Sequence, residues 1–81
     1  MKGIVTIALK QDILDPQGSA VRDSLQSLGF SEVKDVRIGK SIEVEMKDTL
    51  ADEAEKRLHR MCDSILVNPV IEDFQIEIVE E

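Results

Sequence analysis

The 81-residue sequence predicts an α+β fold in the order β-α-β-β-α-β, a four-stranded antiparallel sheet with two helices on one face. Three observations predict it. Apolar residues alternate with period two near the start, middle and end of the chain. Between these stretches lie two segments whose apolar residues recur at helical spacing. Glycine, proline and asparagine stand where one period gives way to the other.

The first strand is KGIVTIAL, residues 2–9, with Val5, Ile7 and Leu9 on one face. Its other face, Ile4, Thr6 and Ala8, is small and nearly apolar, as in a central strand covered on both sides. Residues 15–29 form the first helix. Asp15 is its N-cap, Pro16 suits its first turn, and Val21, Leu25 and Leu28 share one face. Gly29 ends it in the left-handed conformation that glycine adopts cheaply. Gly18 stands in the first turn, where glycine costs up to about 1 kcal/mol relative to alanine.

Residues 33–48 read as two strands joined by a tight turn at Gly39-Lys40. Val36 and Ile38 belong to the first; Ile42, Val44 and Met46 alternate with Glu43 and Glu45 in the second. Residues 49–68 form the second helix. Thr49 and Asp52 resemble a capping box, and Ala51, Ala54, Leu58, Met61 and Ile65 make the stripe to be buried. Glu53 and Arg57 form an i,i+4 pair, and Asn68-Pro69 stops the helix. Phe74, Ile76 and Ile78 alternate in the last strand, 72–80. This order is ferredoxin-like. Glu43, Glu45, Gln75 and Glu77 then line the open sheet face, with Ile4, Thr6 and Ala8 between them. The whole chain, 1–81, is expected to be one domain.

Composition excludes several functions. With 10 basic and 17 acidic residues the net charge is −7, so neither nucleic acid nor an anionic membrane is an expected partner. The absence of Trp and Tyr leaves no base-stacking sheet. The longest apolar run, Ile65–Val67, is too short to span a bilayer, and the N-terminus does not read as a signal peptide. A lone Cys62 fits a reducing cytoplasm. A core this small predicts help from a second copy or a partner.

No catalytic constellation emerges. His59 is the single histidine, on the polar side of its helix, and no cysteine set accompanies it, so no metal is expected. Cys62 lies at the edge of the apolar stripe and reads as packing. Glu43 and Glu45 read as a solvated strand face. There is no glycine-rich phosphate loop, no CxxC and no arginine in the first loop, KQDILDPQG. No cofactor is expected.

Three stretches are over-specified for folding alone: LDPQG (14–18), VRIGK (36–40) and NPVIEDF (68–74). Together, and over essentially the whole chain, they resemble the PurS family. Its members are small accessory subunits of formylglycinamide ribonucleotide amidotransferase (phosphoribosylformylglycinamidine synthase). The resemblance implies a homodimer or a dimer of dimers with no active site of its own. It implies assembly with a glutaminase subunit and an ATP-dependent synthetase subunit in purine biosynthesis, in support of ammonia transfer. The partner interface is then expected at Asp15, Pro16, Gln17, Gly18, Arg37, Gly39, Lys40, Asn68 and Pro69. Within it, Gly18 either leaves the helix N-terminus open to a partner or packs closely under its own domain. The alternative function is a small-molecule-binding regulatory domain of ACT-like topology.

Overall fold

In the computed structural model, which describes residues 1–47 and 50–80, β1 (Lys2–Leu9) is the middle strand of an antiparallel sheet. β2 (Gly39–Glu45) pairs along one side of it, Ile4 opposite Glu43 and Val5 opposite Ile42. β3 (Glu72–Val79) pairs along the other, Ile4 opposite Glu77 and Val5 opposite Ile76. The register fixes two faces. Val5 and Ile7 are buried beneath helix α2 (Ala51–Met61) together with Leu58, Cys62 and Val67. Ile42, Val44, Phe74, Ile76 and Ile78 border that core. Glu43, Ile4 and Glu77 lie side by side on the opposite face, with Thr6 between Ser41 and Gln75. That face is open; Thr6 and Ala8 are exposed.

Among the described residues the sheet has three strands, where four were expected. Residues 33–38 join no ladder, and there is no hairpin turn at Gly39-Lys40. Side chains take the backbone groups that a neighbouring strand would have used. The Ile38 amide donates to the Asp15 carboxylate (2.7 Å), the Val36 amide to the Asp35 carboxylate (2.9 Å), and the Val33 carbonyl accepts from Gln26 (2.9 Å). Gly39 and Lys40 therefore run directly into β2, opposite Ala8 and Ile7.

Helix α1 (Pro16–Ser27) forms as its caps dictate. The Gly18 amide donates to Asp15 Oδ1 (2.8 Å). At the other end the Phe30 amide reaches the Leu25 carbonyl and the Gly29 amide the Gln26 carbonyl, with Gly29 at φ +101°. That is a Schellman motif. Yet α1 does not share the sheet face with α2, as was expected; among the described residues it packs on no strand or helix. Leu28 is 74% exposed and Val21 39%. The molecule is consequently long, 50 × 28 × 14 Å. Its radius of gyration is 16.2 Å, against about 12 Å for a compact chain of this length.

Helix α2 buries Ala54 and Leu58 completely, as its stripe predicts. The capping box expected at Thr49 lies outside the described residues. At its C-terminus α2 widens into a π-helical turn, Cys62–Leu66, closed by the Val67 amide on the Cys62 carbonyl (3.2 Å). The wider turn shifts the helical phase. Cys62 enters the core at 0% exposure, and Ile65, expected in the buried stripe, is 86% exposed. Glu53 approaches Lys56 (3.9 Å) rather than Arg57.

Candidate functional site: a junction of three loops

The three over-specified stretches converge where β1 ends and β2 and β3 begin. Asp15, 4% exposed, is the centre. Its Oδ1 accepts from the Gly18 amide (2.8 Å) and its Oδ2 from the Ile38 amide (2.7 Å). One carboxylate thus caps α1 and fixes the entry to β2. Those two amides hold its carboxyl below the ordinary aspartate range, with help from the Arg37 charge.

Gly18 sits directly against the Val36 carbonyl oxygen, and a Cβ there would overlap it. Of the two readings of Gly18, close approach within its own chain is the one observed. The helix preference lost at glycine is offset by this docking of the α1 N-terminus on residues 36–38.

Arg37 is half-buried and donates from Nη2 to the Lys10 carbonyl (2.8 Å). The Lys10 amide donates to the Ile71 carbonyl (2.8 Å), and its ammonium meets Asp73 (3.0 Å). On β3, Glu72 Oε2 lies 3.3 Å from the Lys40 ammonium, and Glu72 Oε1 accepts from the Asn68 amide (2.8 Å). The Asn68 amide first, then Lys40, holds the Glu72 carboxyl below its ordinary range. Asn68 Oδ1 in turn accepts from the Val70 amide (3.1 Å). Pro16, Gln17, Pro69 and Val70 form the exposed rim.

The arrangement brings Asp15, Gly18, Arg37, Gly39, Lys40 and Asn68 together and leaves Pro16, Gln17 and Pro69 at the surface. Sequence reasoning missed Lys10 and Glu72, whose roles depend on pairing across the sheet. Chemically the junction is a clasp. Both oxygens of Asp15 and both of Glu72 are engaged, so neither is poised as a general base. A recess of about 250 Å³ beside them is lined by Ile7, Leu9, Asp15, Gln17, Lys40 and Glu72.

Elsewhere, burial pushes the Cys62 thiol up, reinforced by the Asp63 charge, the reverse of what a nucleophile needs. His59 is exposed, its ring edge-on to Phe74 with centroids 5.5 Å apart. Among the described residues no group of His, Cys, Asp and Glu is placed to hold a metal ion, and no helix is long and apolar enough to cross a membrane.

Residues 2–80 match the model of the PurS family, described as phosphoribosylformylglycinamidine (FGAM) synthase. The chain is 43% identical to the PurS subunit of phosphoribosylformylglycinamidine synthase from Bacillus subtilis, over 94% of this chain and 89% of that one. It superposes with a TM-score of 0.84 on the crystal structure of Methanocaldococcus jannaschii PurS, a subunit of formylglycinamide ribonucleotide amidotransferase in the purine biosynthetic pathway; identity is 36%, covering 94% of this chain and 92% of that one. A chain of the PurLQS structure from Thermotoga maritima superposes with a TM-score of 0.85 at 28% identity, covering 94% and 93%.

Proposed function

The chain belongs to the PurS family of phosphoribosylformylglycinamidine synthase subunits in purine biosynthesis, and from that membership we propose that it is a non-catalytic assembly subunit. It bridges the glutaminase and the ATP-dependent synthetase subunits in the cytoplasm and supports the passage of ammonia between them. The observation that carries this is the close likeness to a chain seated in the PurLQS assembly. The same match favours this reading over a small-molecule regulator of ACT-like topology. Two features of the chain support it. Its carboxylates at the junction are consumed in holding loops together, which suits positioning rather than chemistry. And the apolar stripe of α1 leaves Val21 and Leu28 exposed, with no strand or helix among the described residues packed on it, which suits a homo-oligomer. The rim residues Pro16, Gln17 and Pro69, with Lys40 beside them, are the part of the junction offered to the larger subunits.

Reconstitution tests the reading. Purified glutaminase and synthetase subunits are assayed with and without the chain, using glutamine or free ammonium as nitrogen donor. Glutamine-dependent turnover should require the chain, and ammonium-dependent turnover should persist without it. Full glutamine-dependent turnover in its absence would refute the bridging role. Sedimentation of the chain alone at micromolar concentration should give a dimer or larger.

A further inference from the structure

The core face of the sheet is covered over two strands and bare over the third. Helix α2 packs on β1 and β3 and, among the described residues, not on β2. A helix about 10 Å across covers about two strands spaced roughly 4.8 Å apart, so one helix cannot cover three. Ile42 and Val44 of β2 are therefore only half-buried, although both border the core. Beside α2 a groove of about 520 Å³ remains, with Val44, Met61, Ile65 and Leu66 as its apolar lining and Arg57 and Arg60 along its border. Ile65 lines it at 86% exposure, because the π-helical turn takes it off the buried stripe.

The same chain has a helix with no sheet beneath it. Two helices on one sheet face lie side by side, so the groove over β2 is the place that α1 takes in the arrangement expected from the sequence. Instead α1 stands clear of the sheet, with Val21 39% and Leu28 74% exposed. It cannot turn back over its own β2 without parting the clasp at its first turn. There Asp15 holds the Gly18 and Ile38 amides together, and Gly18 is set against the Val36 carbonyl. One chain thus carries an empty helix seat and an unseated helix, held apart by its own hydrogen bonds.

We propose that helix α1 of a second copy of this chain fills the groove, laying its stripe of Val21, Leu25 and Leu28 on Val44, Ile65 and Leu66. The inference rests on the homo-oligomer reading above and adds to it both surfaces of the contact. The exchange is reciprocal. Each copy gives its α1 and receives the other's, so the contact forms twice about a two-fold axis and closes at two copies. A one-way contact would leave one helix and one groove bare and would continue as a filament. Apolar surfaces meet at the centre, and Arg57 and Arg60 stay at the rim, where interfaces place their charges. The π-helical turn then has a purpose that folding of this chain alone does not give it: it moves Ile65 out of its own core and into the seat.

Complementation between two variants tests it. Leu28→Lys charges the donated stripe and Ile65→Asp charges the seat, both at exposed positions. Either variant alone carries the flaw in both contacts, and sedimentation should show its dimer weakened about tenfold or more. A mixed dimer holds one unaltered contact and one in which opposite charges meet. Mixing the two variants should therefore restore dimerisation to within about threefold of the unsubstituted chain. Such recovery also shows that both variants fold. As a second measurement, a chain with Leu28→Cys and Ile65→Cys, treated with a short bis-maleimide, should link two copies; Cys62, fully buried, is spared. Variants that dimerise within about twofold of the unsubstituted chain would overturn the proposal and leave the homo-oligomer reading intact, as would a mixture that shows no recovery. A link closed within one chain would overturn it, and so would variants that keep the dimer but lose a large subunit. An unsubstituted chain that stays monomeric at micromolar concentration would refute the homo-oligomer reading itself, and this inference with it.

Discussion

Helices α1 and α2 both carry an apolar stripe, the sharper one on α2, and the chain treats them oppositely. On α2, Ala54 and Leu58 are sealed against β1 at 0% exposure. At the end of α1, Leu28 is 74% exposed, and among the described residues no strand or helix packs on the stripe. The difference lies in what each helix is tied to. α2 lies flat on the sheet, close enough that a Cβ on Gly3 would clash with Leu58. α1 is held at its first turn, by Asp15 and by the contact of Gly18 with Val36, and projects from there. Periodicity tells which face of a helix is apolar. It does not tell which molecule covers that face.

The comparison can be broken most forcefully at Leu58. Leu58→Ala removes the middle of a small core and should cost about 2–5 kcal/mol, enough to unfold much of the population; denaturant melts of the free chain read it directly. A loss under about 1 kcal/mol would mean that α2 is no better seated than α1.

Gly18→Ala should come next. Alanine is the better helix former by about 1 kcal/mol, yet its methyl group would overlap the Val36 carbonyl, and overpacking of that kind costs about 1–3 kcal/mol. A net destabilisation in thermal melts shows that docking outweighs propensity; a stabilised variant would show that the contact gives way freely.

Acid should act on the junction before it acts on the helix–sheet core. The Asp15 and Glu72 carboxyls titrate lower in the folded chain than in the unfolded one. The unfolded chain therefore binds their protons first, and their stabilising contribution, complete above the ordinary carboxylate range, is lost as pH falls through it. Melting temperature should decline on that acid limb, and Asp15→Asn should make the decline shallower. An unchanged limb would remove the carboxylate from its assigned role.

The smallest effect on the free chain, and the most discriminating, belongs to the exposed stripe. Leu28→Ser should change monomer stability by no more than about 0.5 kcal/mol while weakening self-association in sedimentation experiments. Equal dimerisation by the variant would place the oligomer contact elsewhere.

Much of this was legible in the residues. The Asp15 cap, the Gly29 terminus, the alternation of β1 and β3, and the core positions Ala54 and Leu58 all follow from local rules, and all were read correctly. The gathering of LDPQG, VRIGK and NPVIEDF at one place was not visible as geometry, since it depends on pairing between distant segments. The missing strand at 33–38 and the displaced Ile65 share a cause. In each, a backbone hydrogen bond took a partner that periodicity cannot reveal: the Asp15 carboxylate for Ile38, and the Cys62 carbonyl, five residues back, for Val67. Arg37, expected at the partner interface, is a half-buried donor to the Lys10 carbonyl, in a chain that forms no turn at Gly39-Lys40.

The placement of β1 has a consequence for how the chain comes into being. β1 precedes both of its partners in the chain yet lies between them, and Lys2 pairs with the distant Val79. No native sheet can close until the last strand has been synthesised, and the nascent chain must hold Val5 and Ile7 without their final neighbours throughout. Pairings so distant in sequence are slow to form. Closure of the sheet thus waits on β3, and any truncation that removes β3 exposes one edge of the central strand along its whole length.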